Sequence, residues 1–175
     1  MKNYLVLTAL GEKNFPLTTQ FTQAIRDAGC NIEDSRITSL GNEFSIVMML
    51  SGNWDAIAKI EGTLPKLQDQ LGLTITAKRT ELAGNQNNQM PYAIDVVAFD
   101  RTGIVHDIAK FLTENNISIQ NMETNTYKAV NTGAAMFSMH MTVNIPADIS
   151  IASIRGDFIE FCDQLNLDAI MEPLK

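Results

Sequence analysis

The chain has 175 residues, of which 45% are hydrophobic and 19% charged, so it can build a core in one domain or in two small ones. Its formal net charge of −7 argues against unaided binding to a nucleic-acid backbone, which depends on clustered Lys and Arg side chains. No apolar stretch approaches the roughly 18–20 residues of a membrane span, and the amino terminus does not resemble a secretory signal. With only two cysteines, far apart in the sequence, a reduced cytoplasmic location is expected.

The first half of the chain predicts six elements in the order strand, helix, strand, strand, helix, strand. Every second residue from Phe44 to Leu50 is apolar, which is typical of one buried strand face. Asn53 is the predicted N-cap of the second helix, and Pro65 should kink or shorten that helix. The strands are expected near residues 3–10, 31–40, 43–51 and 73–80, and the helices near residues 16–28 and 54–71.

The second half predicts the same six elements in the same order. Asp148 is the predicted N-cap of its second helix. Residues 81–90, between the halves, are polar and rich in amide side chains, which is typical of a linker. The strands are expected near residues 91–99, 117–128, 134–144 and 167–173, and the helices near residues 104–115 and 148–165.

The two halves repeat each other. At an offset of 87 residues, the helix positions Leu17, Phe21 and Ile25 fall on apolar residues again, with the spacing of a buried helix face. At an offset of 93 residues, FSIVMML falls on FSMHMTV, so the second copy should hold about six extra residues in its hairpin. The order βαββαβ is that of the ferredoxin-like split unit, an antiparallel sheet with both helices on one face. We therefore predict an α+β fold with two such units, at residues 1–80 and 91–175.

The turn DRTGIV, at residues 100–105, has the features of a site for a small ligand. Gly103 has no Cβ and allows a ligand to approach the backbone closely. The first N–H groups of the following helix have no partner within the helix and favour a carboxylate. Asp100 could cap that helix or meet the ammonium group of a ligand, and the combination fits a free amino acid. Asp and Gly are also ordinary turn residues, so the residues alone leave a purely structural turn open.

The D-x-x-G-I-V turn, in a βαββαβ unit of about 80 residues, resembles the ACT domain, a small module that binds amino acids and other small effectors. Two such units, with the stretches TALGEKN, EFSIVMMLSGNWDAIAKIE and FDRTGIVHDIAKFL, resemble the glycine cleavage system transcriptional repressor family over essentially the whole chain. The resemblance implies a cytoplasmic repressor of glycine cleavage genes that responds to an amino acid, glycine or a similar one. It also implies action through a partner transcription activator protein, without direct binding to nucleic acid.

The resemblance also assigns residues to the site. The ACT ligand loop falls on Asp100, Arg101, Thr102, Gly103, Ile104 and Val105. Asn121, on the next strand, is the candidate that completes the site across an interface between units. In the first copy Lys13 replaces the aspartate and Pro16 replaces the glycine, and the proline removes a donor and adds bulk. The first turn is therefore not expected to bind a ligand in the same manner.

The sequence shows no nucleophile–base pair, phosphate-binding loop, dinucleotide fingerprint or metal-ligand spacing, so we predict neither an enzyme nor a cofactor or metal site. Half-polar open sheet faces and sheet edges suit contact with another copy of the unit, and a homo-oligomer is expected. A free-standing ACT regulatory subunit, which modulates an amino-acid metabolic enzyme, remains an alternative. An RNA-binding sheet would need exposed aromatic residues and a basic surface, whereas the phenylalanines here are assigned to the core and the chain is acidic.

Overall fold

The computed structural model describes residues 2–13, 16–82, 84 and 88–174. The chain divides into two compact units, residues 1–84 and 85–175. Within the described residues, each unit has the element order βαββαβ and one four-stranded antiparallel sheet. The predicted α+β fold with two ferredoxin-like units is confirmed. The predicted linker, residues 81–90, lies partly outside the described residues, which omit 83 and 85–87.

The first unit contains two helices and four strands in the predicted order. Its helices end at glycines in the left-handed conformation, Gly29 after the first helix and Gly72 after the second. Its elements are β1 (Asn3–Glu12), α1 (Leu17–Ala28), β2 (Asn31–Leu40), β3 (Glu43–Gly52), α2 (Trp54–Leu71) and β4 (Thr74–Thr80), with the strand order β2-β3-β1-β4 in the sheet.

The second unit repeats this topology. Its elements are β5 (Gln89–Phe99), α3 (Ile104–Glu114), β6 (Ser118–Lys128), β7 (Ala135–Pro146), α4 (Ile151–Gln164) and β8 (Asp168–Pro173), with the strand order β6-β7-β5-β8 in the sheet. The second strand of each unit also carries a β-bulge. Its pairing with the third strand shifts by one residue, at Glu33 in β2 and at Gln120 in β6.

Each sheet buries one face against the two helices of its own unit. Strand residues that alternate with this core, such as Val47 and Val97, lie on the opposite side, which we call the open face. The core of the first unit includes Leu5, Leu7, Phe21, Ile25, Ile57 and Ile60. The core of the second unit includes Ile94, Val96, Ile108, Leu112, Ile154 and Phe158.

The hairpin between the second and third strands differs in length between the units. Leu40 pairs with Glu43 in the first unit, with two residues between them. The equivalent pair in the second unit is Tyr127 and Met136, with eight residues between them. The predicted insertion of about six residues in the second hairpin is confirmed.

The start of α2 is as predicted, but the start of α4 is not. Asn53 Oδ1 accepts a hydrogen bond from the Ala56 N–H at 2.8 Å, which confirms Asn53 as the N-cap of α2. In α4 the N-cap is Ser150, and the predicted helix start at Asp148 is wrong. The reason is a turn directly after β7, in which the Ile149 N–H donates to the Pro146 carbonyl at 3.1 Å.

Pro65 does not shorten α2, and Phe99 does not lie in the core. The helix α2 is not shortened at Pro65 but continues over 18 residues, with apolar residues buried on both sides of the proline. Only one backbone hydrogen bond is lost there, and tertiary packing outweighs it. Phe99 does not belong to the core, because it follows the buried Ala98 and strand alternation turns it to the open face, where it is 72% exposed.

A hydrogen-bonded carboxylate holds the register shift in β2. Glu33 Oε1 accepts from Lys2 Nζ at 2.6 Å and from the hydroxyl of the buried Ser51. Lys2 contributes most, and with Ser51 and Asn31 it lowers the pKa of Glu33 from 4.5 to about 2. Because the folded pKa is depressed, the stabilisation by Glu33 is complete above its unfolded value of 4.5 and is lost as pH falls toward about 2.

We expect Glu33→Gln to lower the urea midpoint of unfolding at pH 7 and to do so much less at pH 3, because the wild-type contribution fades over that range. The measurement is a set of urea titrations of both proteins between pH 7 and pH 3. Glu43→Gln, an exposed glutamate on β3, is the control and should leave the midpoint unchanged at pH 7. An equal loss for Glu33→Gln at every pH would contradict the assignment.

Candidate functional site

The helix α3 begins with an uncapped first turn. Gly103 precedes it with φ of 99°, in the left-handed region that favours glycine. The first helical hydrogen bond runs from the Asp107 N–H to the Gly103 carbonyl at 2.9 Å. No side chain caps the helix, so the N–H groups of residues 104–106 have no side-chain acceptor. The start of α3 therefore presents backbone donors with partial positive charge.

The turn that leads into α3 lines an open cavity of about 530 Å³. Five of the six residues predicted for the ligand loop lie in its wall, and Thr102 does not. Most of the wall is apolar, with charged side chains at its rim. The predicted lining residues are Asp100, Arg101, Gly103, Ile104 and Val105, and the others are His106, Ala109, Thr126 and Phe137.

Sequence reasoning missed the part of the wall that comes from the sheet. Thr126 on β6 is paired with Phe137 on β7, and both reach the cavity from the helix-covered side of the sheet. Phe137 was predicted as core, and it is buried. The predicted hairpin register would have indicated Thr126, since residues that are directly opposite share one face of a sheet.

Two side chains of opposite charge, Arg101 and Asp100, lie at the rim of the cavity. Arg101 Nη1 and Nη2 both lie 3.3 Å from Asp107 Oδ2, in a partly exposed ion pair over the first turn of α3. Asp100 is fixed by its backbone, whose N–H donates to the Ala135 carbonyl at 2.9 Å, while its side chain is exposed. A ligand in the cavity would thus meet donors for a carboxylate and an acceptor for an ammonium group.

Asn121 does not lie in this cavity. It is paired with Thr142, on the open face, whereas Thr126 faces the helices. The two β6 residues are also separated by about 17 Å along the strand, at roughly 3.4 Å per residue. A single unit therefore does not bring Asn121 to the turn, and its role in a site shared with a neighbouring unit stays a prediction.

The equivalent turn of the first unit shares one backbone hydrogen bond with the second but differs in chemistry. The Lys13 N–H donates to the Asn42 carbonyl at 3.1 Å, as the Asp100 N–H does to Ala135. Pro16 stands before α1 with φ of −82°, and it has no N–H to offer. Residues 14 and 15 lie outside the described residues. Compared with the second unit, the positive charge of Lys13 replaces the negative charge of Asp100. Pro16 also lacks the backbone N–H that Gly103 has.

Other reactive groups are few in the part of the chain that the structure describes. Cys162 is buried, and burial, with a smaller effect of Asp163, raises the pKa of its thiol to about 12. No group of three or more His, Cys, Asp and Glu side chains among the described residues could hold a metal ion. None of the helices that the structure describes is long and apolar enough to cross a membrane.

Comparison with known proteins assigns both units to one class. The ACT domain family matches residues 3–78 and residues 86–155. These matches and the two βαββαβ units make the chain a tandem ACT-domain protein.

The chain is 33% identical over 165 residues to the glycine cleavage system transcriptional repressor of Escherichia coli strain K12, which covers 94% of this chain and 87% of that protein. It belongs to the glycine cleavage system transcriptional repressor family. Two crystal structures share the fold over 100% of this chain. The first, a candidate glycine cleavage system transcriptional repressor, has a TM-score of 0.76 and 24% sequence identity, and the match covers 99% of that chain. The second, a protein from Galdieria sulphuraria, has a TM-score of 0.81 and 21% sequence identity, and the match covers 100% of that chain.

We expect Gly103→Val to weaken the binding of a free amino acid, with glycine tested first, by about tenfold or more, which corresponds to roughly 1.4 kcal/mol. A side chain there would stand where a ligand meets the backbone, although a Cβ has no protein atom closer than 4.0 Å. Isothermal titration calorimetry measures the effect. Gly41→Val is the control for strain, because Gly41 also has positive φ, of 62°, with open space around it. Equal binding by the two variants would place the site elsewhere.

Proposed function

We propose that this protein is an amino-acid-responsive transcriptional regulator that represses glycine cleavage genes by binding a partner activator protein. It acts in the cytoplasm, binds no DNA by itself and catalyses no reaction. Family membership supports the regulatory role and the target genes. The observation that carries the response to an amino acid is the uncapped start of α3, with Asp100 and Arg101 at the rim of the same cavity.

The chemistry of the turn fits both ends of an amino acid. Backbone N–H groups at a helix start bind a carboxylate, and the guanidinium of Arg101, which also pairs with Asp107, lies beside them. The exposed carboxylate of Asp100 accepts hydrogen bonds from an ammonium group. Glycine or a similarly small amino acid satisfies both partners without a large side chain, and the reversed charge at Lys13 disfavours the same binding in the first unit.

A neighbouring unit completes this site. The cavity is open and much larger than a free glycine, so it leaves room for a residue from outside the unit. Asn121 is the candidate, because it lies away from its own turn and supplies an amide that can both donate and accept. The ligand then favours one arrangement of units over another, by the difference between its affinities for the two. Such coupling is typically about 1–3 kcal/mol, or roughly a 5–150-fold change in partner affinity.

Asn121→Ala should uncouple the partner from the amino acid while the protein stays folded. The measurement is a titration of the partner activator with and without glycine, for the wild type and the variant. We expect the wild type to show a ratio of affinities of roughly 5–150 and the variant a ratio near one. The control is Asn125→Ala, an exposed asparagine on the same strand and the same face, which should keep the wild-type ratio. If Asn121→Ala keeps the full effect of glycine on partner affinity, Asn121 is an ordinary strand residue and not part of the site.

The protein alone should not bind the control region of glycine cleavage genes. The net charge of −7 opposes binding to phosphates, and the open face of the second unit carries the carboxylates of Asp95 and Glu123. The measurement is a gel-shift titration at physiological salt, first with the protein alone and then with the partner activator. A sequence-specific shift by the protein alone would contradict the proposed mode of action.

A further inference from the structure

The open faces of the two units carry opposite charges at equivalent positions. Arg36 on β2 is opposite Val47 in the first sheet, and Glu123 on β6 is opposite His140 at the same place in the second sheet. Lys78 is opposite Val6 on β1, and Glu172 is opposite the equivalent residue of β5, Ala93. Two positions that are basic in one copy are thus acidic in the other.

These charges are available for contacts with another molecule. Arg36 and Lys78 are exposed, as are Glu123 and Glu172. Among the described residues, Arg36 pairs with the nearby Asp34, and the other three have no ion pair. Asp168, which is opposite Val97 on the same open face as Glu172, adds a further exposed carboxylate.

Exposed apolar side chains accompany the charges on both faces. On the open face of the first unit, Leu10 is 50% exposed and Val47 is 41% exposed. On the open face of the second unit, Ile170 is 54% exposed and Phe99 is 72% exposed. Two sheet faces of this kind can stack about 10 Å apart, with apolar side chains between them and the four charges named above on the outer strands. The hydrogen-bonded pair of Asp95 and His140, on the central strands of the second face, then lies inside the contact.

We propose that the open face of the first unit docks on the open face of the second unit of another copy of this chain. Each chain carries one face of each kind, so a pair of chains related by a two-fold axis satisfies both. A four-stranded face about 19 Å wide and about 24 Å long covers roughly 450 Å². Two such face pairs bury roughly 1,800 Å², within the range of specific interfaces.

One alignment brings the charges together. When β2 lies over β6 with the strands reversed, and Val47 lies over His140, Arg36 falls opposite Glu123. The same reversal places Lys78 opposite Asp168, in the row of residues next to that of Val47. It also places Asn121 opposite Thr38, so this dimer is a different arrangement from the one in which Asn121 reaches a neighbouring ligand turn.

The remaining carboxylates of the first face are accommodated by the same alignment. Glu12 and Glu43 lie at the hairpin end of that face. In the reversed alignment they fall opposite Pro91 and Asn144, at the far end of the second face, where the side chains are neutral. Asp34, the carboxylate that pairs with Arg36, falls opposite the neutral Asn125, so no two carboxylates lie directly opposite each other.

The test uses charge reversal on each face. The first variant is Arg36→Glu with Lys78→Asp, and the second is Glu123→Arg with Asp168→Lys. We expect the wild type to sediment as a dimer in analytical ultracentrifugation at 0.1 M salt, and each double variant to raise the dimer dissociation constant about 100-fold or more. An equimolar mixture of the two variants should form dimers again, because both face pairs are then complementary. Restoration by mixing requires contacts between copies.

Arg26→Glu with Lys66→Glu is the matched control, since it removes two exposed basic residues on the helices of the first unit. It should keep the wild-type mass, and circular dichroism should show that all variants remain folded. The proposal is overturned if the double variants keep the wild-type dissociation constant, if their mixture stays monomeric, or if the wild type sediments as one chain at all concentrations.

Discussion

The arrangement of the candidate site depends on the reversal of the chain between β5 and α3. The strand ends on the sheet at Phe99, and the helix that covers the sheet starts at Ile104, so four residues must turn the backbone around. Gly103 makes this possible by adopting positive φ at the last position of the turn. Because a glycine occupies the N-cap, no side chain satisfies the first N–H groups of α3. The constraint that closes the fold therefore also leaves donors for a ligand.

Comparison of the turns before α1 and α3 distinguishes the features that the fold needs from those that a ligand would need. Both turns hold the same backbone bond to the hairpin, from Lys13 in one unit and from Asp100 in the other. Pro16 at the start of α1 is compatible with the helix, since a proline is well tolerated there. The difference lies in charge and in available donors, which the packing of the core does not select. The same holds for the open faces, where Arg36 and Glu123 occupy equivalent positions on sheets of the same topology.

Most of the fold could be predicted from the sequence, because alternation and helical periodicity report directly on burial. The failures lie where local chemistry competes with the pattern. Asp148 is a good N-cap residue, but the turn after Pro146 moves the helix start to Ser150. The site was less predictable, since Thr126 enters its wall through strand register, not through a motif. The sequence also cannot place Asn121 relative to a turn in another unit.

The central claim is that an amino acid binds at the turn after β5 and not at its counterpart after β1. The most direct measurement is a titration of ¹⁵N-labelled protein with glycine, followed by assigned amide chemical shifts. We expect saturable shifts at residues 100–106, where the backbone donors lie, and none at residues 17–19 at the start of α1. Saturable shifts at the first turn with none at the second would contradict the account.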